Sequence, residues 1–158
     1  MEGEHKSEYD ISREHLLDTE LRVVPLIDHL VEHRGFGPRS LYVEMCWLPV
    51  MGPTATWLYR RLGTWVEHNP DGLTVDLTDL SVGLGLGEGL SRNSMFARAL
   101  GRLARFGAAD WRGDALAVRR ALAPLPERQL GRLSYSARKL HDDFMRQIDR
   151  DDPKALVK

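Results

Sequence analysis

The chain has 158 residues, 42% hydrophobic and 28% charged, with a formal net charge of −1. That size and balance suit one globular domain with an appendage; no apolar run approaches the roughly 18 to 20 residues that span a bilayer, and the polar start MEGEHKSEYD is unlike a secretory leader, so a cytoplasmic protein without membrane contact is expected. The single cysteine, Cys46, excludes an intrachain disulfide and a cysteine-rich zinc site, and its apolar surroundings LYVEMCWLPV suit a buried, inert thiol.

In chain order, Asp10 to His33 places Leu17, Leu21, Val24, Ile27 and Val31 at spacings of three and four, which predicts an amphipathic helix broken or kinked near Val24 by Pro25. RGFGPRS, residues 34–40, reads as a loop, and Leu41 to Val50 as a short apolar element, with helix preferred over strand. A helix should start at Gly52-Pro53 and run to His68 with Leu58, Leu62, Trp65 and Val66 on one face, since proline suits a first helical position. The turn Asn69-Pro70-Asp71-Gly72 leads to a short strand at Leu73-Thr74-Val75, and Asp76 or Thr78 offers a cap for a brief helix through Leu80 and Val82.

Gly83, Gly85, Gly87 and Gly89 come next. A phosphate loop would need a terminal Gly-Lys-Ser/Thr, yet no lysine lies between Lys6 and Lys139, and Glu88 stands where a dinucleotide fingerprint would place its third glycine. The glycines therefore read as a turn between helices, and no cofactor is expected. Ser91 or Ser94 can cap a third helix with Phe96, Leu100, Leu103 and Phe106 inward, closed by Gly107. Two extended runs follow, Ala108 to Trp111 and Ala115 to Arg120; with the glycine turn at 112–114 they predict a β-hairpin. Pro124 and Pro126 introduce a short helix, and Ser136 to Asp149 is a final amphipathic helix with Ala137, Leu140, Phe144 and Ile148 aligned.

The charge is segregated. Residues 1–50 carry five Lys/Arg against ten Asp/Glu, residues 51–90 two against five, and residues 91–140 eleven against three. A basic segment of that kind is suited to a polyanion. His29-Leu-Val-Glu32-His33 satisfies the H-x-x-E-H zinc-peptidase pattern, but one five-residue match without a third ligand favours two solvent-facing histidines on an acidic helix. No catalytic residue and no metal ligand are assigned.

Helix, short strand, helix, turn, helix and hairpin follow one another across residues 53–120. The run SRNSMFARALGRLARFGAADWRGDALAVRR resembles the recognition helix and wing of winged helix-turn-helix transcriptional regulators, with Phe96, Arg98, Leu100, Leu103 and Gly107 at the matching positions; Gly101 is unusual within such a helix. The resemblance covers a little under half the chain, and its pattern also occurs in winged helices that bind only protein. It implies a mainly α fold with a small β-hairpin wing (α+β). An acidic helical extension would occupy residues 1–40, a winged-helix domain 41–125, C-terminal helices 126–150 and a tail 151–158.

Its functional implication is sequence-specific binding of double-stranded DNA by a non-enzymatic regulator. The recognition helix would span about 91–107 and the wing about 108–120. Arg92, Asn93, Ser94 and Arg98 would meet base edges, Arg102 and Arg105 would serve as phosphate or structural residues, and Arg112 at the hairpin tip would reach a minor groove or the backbone unless Asp114 pairs with it. The flanking helices would pair two copies into a homodimer on a pseudo-palindromic site. The alternative is a protein-interaction module of a replication or transcription complex.

Overall fold

The computed structural model describes residues 19–151. Its elements are strand β1 (Glu20–Leu26), helix α1 (His29–Arg34), a π-helical turn (Val43–Trp47) running into α2 (Leu48–Met51), α3 (Pro53–His68), β2 (Leu73–Asp76), α4 (Leu77–Gly83), α5 (Met95–Arg105), β3 (Ala109–Arg112), β4 (Ala115–Arg119), a 3-10 segment (Glu127–Arg132) and α6 (Tyr135–Asp151). The architecture is α+β. One four-stranded mixed sheet has the order β2-β1-β4-β3, with β1 antiparallel to β2 and parallel to β4.

The N-terminal expectation is corrected here. From Glu20 to Leu26 the chain is a strand inside the sheet, not part of a helical extension, and Asp10 to Asp18 lie outside the described residues. Leu21 and Val23 are buried, and the adjacent pair Val23-Val24 favours extended backbone. Pro25 is tolerated because β2 pairs only as far as Val23, so that side of β1 is already a free edge. Helix resumes only at α1, where the Asp28 carboxylate accepts from the N–H groups of Leu30 and Val31.

Elsewhere local chemistry and structure coincide. Residues 41–51 are helical, with a π turn at their centre. Gly52 takes φ +87° and ψ 159°, and Pro53 opens α3, whose Leu58, Leu62 and Val66 are buried. Asp76 caps α4, and Ser94 caps α5 by accepting from the Ala97 N–H. β3 and β4 form the expected hairpin, with Gly113 at φ +63° in the first central position of its turn.

α3 packs across β1 and β4, and α5 packs on α3 and β3. The buried core contains Tyr42, Met51, Leu58, Tyr59, Phe96, Leu100, Leu103 and Leu116. The apolar stripe of α6 is used within the chain: Phe144 meets Phe36 and Tyr42 edge-on, and the Ala137 carbonyl accepts from Cys46 Sγ at 3.6 Å. Burial pushes that thiol up to about 11, as suits a packing residue.

Candidate nucleic-acid interface

Ser94 fixes where α5 begins, so its residues divide cleanly by face. Phe96, Ala97, Ala99, Leu100 and Leu103 are buried, while Arg98, Arg102 and Arg105 lie on the exposed side. The segment from Leu84 to Ser94 that delivers the chain to α5 is longer than a tight turn. Its first half is anchored: Ser81 Oγ donates to the Gly87 carbonyl at 2.6 Å, the Leu86 N–H donates to the Ser81 carbonyl, and Gly85 and Gly87 both take φ +75°.

The expected contact residues separate into two groups. The side chains of Arg92, Asn93 and Arg98 are exposed and make no hydrogen bond or ion pair with other described residues. Ser94 is half-buried, and its oxygen is occupied by the helix cap. Arg102 is held elsewhere: its Nη1 donates to the Met51 carbonyl at 2.9 Å, capping α2. Arg105 stands beside the Phe106 ring, its guanidinium carbon 5.5 Å from the centroid.

Arg112 pairs with Asp110 at 3.0 Å, not with Asp114 as the hairpin sequence suggested. Residues two apart on a strand project to the same face, whereas Asp114 belongs to the turn. Arg112 lines a cleft of about 620 Å³ with Asp28, Ala104, Gly107 and Arg119. Arg98 and Arg102 line another, about 200 Å³, against Gly52, Pro53, Thr54 and Met95. The two clefts share no residue. Arg112 and Arg98 are therefore not brought into one cleft.

Part of the basic surplus of residues 91–140 is paired with acids from elsewhere in the chain. Arg119 binds Asp28 at 3.2 Å and its Nε donates to the Gly107 carbonyl. The N–H of Val31, then the Arg119 guanidinium, hold the Asp28 carboxyl below the usual range. Arg120 makes a bidentate pair with Glu32, at 2.6 and 2.8 Å. This occupies the carboxylate of the H-x-x-E-H pattern, and among the described residues no three potential metal ligands cluster.

Two residues of an adjoining cleft were not singled out in the sequence. Trp57, 55% exposed, and Arg61 line a further cleft of about 310 Å³ with Gly83, Leu84 and Leu86, and this cleft shares Pro53 and Thr54 with that of Arg98. Trp57 and Arg61 are one turn apart on α3, off its buried face, and that spacing was the available signal. The result is a continuous surface around the start of α3, carrying Arg61, Arg98 and Arg102 and lined by no acid.

No family model matches the chain, and no curated protein or solved structure matches it significantly. No helix among the described residues is long and apolar enough to cross a membrane.

Proposed function

We propose that the chain is a sequence-specific double-stranded DNA-binding regulator of winged helix-turn-helix type, with α5 as recognition helix and the β3–β4 hairpin as wing. One observation carries the reading. The fold pairs Arg112, Arg119, Arg120 and Arg138 with acids, yet leaves Arg92, Asn93 and Arg98 uncommitted at the start of α5. Side chains there suit base edges in a major groove, arginine to guanine and asparagine to adenine, while nearby guanidinium groups hold phosphates. Arg102 enters as a positioning residue because it ties α5 to the end of α2.

The test is selection of bound fragments from sheared genomic DNA by the purified chain, repeated with Arg98→Ala. We expect Arg98→Ala to weaken specific binding by about 1 to 3 kcal/mol. Raising salt from about 50 to 200 mM should weaken binding at least about tenfold through counterion release. Absence of binding to any fragment at the lower salt overturns the proposal.

The exposed Trp57 and Met95 beside these arginines favour one second reading, a protein-interaction module. Retention of a partner after nuclease treatment, without DNA binding, would select it. A homodimer is part of the DNA reading; with the stripe of α6 used internally, its support is the exposed Leu30 of α1, and light scattering tests it.

A further inference from the structure

We propose that the acidic segment 1–18 docks on the cationic surface around the start of α3 and competes there with DNA. The docking stands on the surface and the segment alone, whereas the competition rests on the DNA-binding reading above.

Three observations converge. First, the two clefts that meet at Pro53 and Thr54 are lined by Arg61, Arg98 and Arg102 and by no acid. Trp57, Val82 and Met95 are 55%, 49% and 59% exposed on the elements that form it. Guanidinium groups together with exposed apolar side chains suit a peptide carrying both acids and hydrophobic residues. Second, residues 1–18 have that composition: Glu2, Glu4, Glu8, Asp10, Glu14 and Asp18 stand against only Lys6 and Arg13, interspersed with Tyr9, Ile11, Leu16 and Leu17.

Third, the point of attachment is close. The Thr19 carbonyl accepts from the Leu77 N–H at 2.8 Å, which roots the segment at the start of α4. α4 ends at Gly83, in the wall of the Trp57 cleft, and seven helical residues rise only about 10 Å. Eighteen residues can extend to roughly 60 Å, so the surface is well within reach. Because segment and surface belong to one chain, their encounter is intramolecular, and a weak contact suffices for occupancy. Because the attraction is largely between exposed charges, salt loosens it.

The test uses the full chain with Ser7→Cys. Cys46 is buried and its thiol is pushed up to about 11, so a nitroxide reagent labels position 7. The reporter is the Trp57 indole N–H in nuclear magnetic resonance, assigned by its loss in Trp57→Phe. At about 50 mM salt, where exposed charges are weakly screened, we expect the oxidised label to broaden it. The broadening should be relieved in a chain also carrying E2Q, E4Q, E8Q, D10N and E14Q. Equal broadening with and without these changes overturns docking. Broadening that occurs between labelled and unlabelled chains in a mixture, but not within one chain, assigns the surface to a second copy and also overturns it.

DNA affinity is then compared in unlabelled chains. Removing a tethered competitor should tighten binding by the five-acid variant by at least about fivefold. Unchanged affinity overturns the competition and leaves docking to be judged by Trp57. If neither chain binds DNA, the functional reading fails with the competition, and the Trp57 signal still decides docking.

Discussion

Tyr42 and His141 lie far apart in sequence and meet in the interior, with Tyr42 Oη 2.7 Å from His141 Nδ1. The same oxygen accepts from the Leu125 N–H at 2.9 Å. Burial favours the uncharged imidazole, with the neighbouring Asp142 and Arg138 pulling in opposite directions, and its pKa is lowered. We therefore assign the phenol proton to the bond with Nδ1. Burial also raises the Tyr42 phenol to about 12, which keeps that proton in place. Tyr42→Phe strands the imidazole nitrogen and the Leu125 N–H, and should cost about 1 to 3 kcal/mol in urea unfolding.

The imidazole also gives stability a pH dependence. In the unfolded chain histidine titrates near about 6.5, so below that value the unfolded state binds the proton more readily than the fold does. His141 thus contributes stability that is complete above the unfolded value and is lost as pH falls towards its lower folded value. His141→Asn places a carbonyl oxygen near the position of Nδ1 and cannot titrate. Its unfolding free energy should decline less than that of the unaltered chain between about pH 7.5 and 5.5.

At the scale of elements, the junction of α2 and α3 is the most constrained point near the proposed interface. Gly52 adopts backbone angles reserved for glycine, and a Cβ there would sit 2.6 Å from Arg102 Nη1. Gly52→Ala should destabilise by about 1 to 3 kcal/mol through backbone strain, measured by thermal unfolding. It should also shift Arg102 off the Met51 carbonyl. The start of α3 was legible from Gly52-Pro53, as were both caps and the hairpin, because each is decided by residues close in the chain. β1 was not. Leu21, Val24 and Ile27 fit a helical period, and the pairing that makes this stretch a strand comes from β2 and β4, remote in sequence. Arg92, Asn93 and Arg98 were recognisable by type and spacing, whereas the Arg102 contact with Met51 and the Trp57–Arg61 cleft depend on how α3 and α5 pack, which no local pattern encodes.

For the whole molecule, β1 converts a set of helices and a hairpin into one core. Val23 pairs with Leu73 on one side and Leu116 on the other, joining two parts of the sheet that do not touch each other. Leu21, only 3% exposed, is part of the same core. Leu21→Ala should cost about 2 to 5 kcal/mol in denaturant unfolding, where an exposed position on an extension would lose under about 0.5 kcal/mol. The long-range ion pairs Arg119–Asp28 and Arg120–Glu32 hold α1 to the end of β4 and the residue that follows it. They bring acids from the N-terminal part of the chain against arginines of the basic segment that are remote in sequence.

Parallel pairing of β1 with β4 also sets an order of events during synthesis. Val23 leaves the ribosome early, but its partner Leu116 follows only after most of the chain, a delay of roughly 5 to 20 s at about 5 to 20 residues per second. β2 can shield one edge of β1 sooner, yet the other edge must wait, and a strand rich in valine with an open edge is prone to pair with a neighbouring nascent chain. Pro25 and Arg22 interrupt that strand's apolar run. These two residues thus help to keep β1 unpaired until its proper partner arrives.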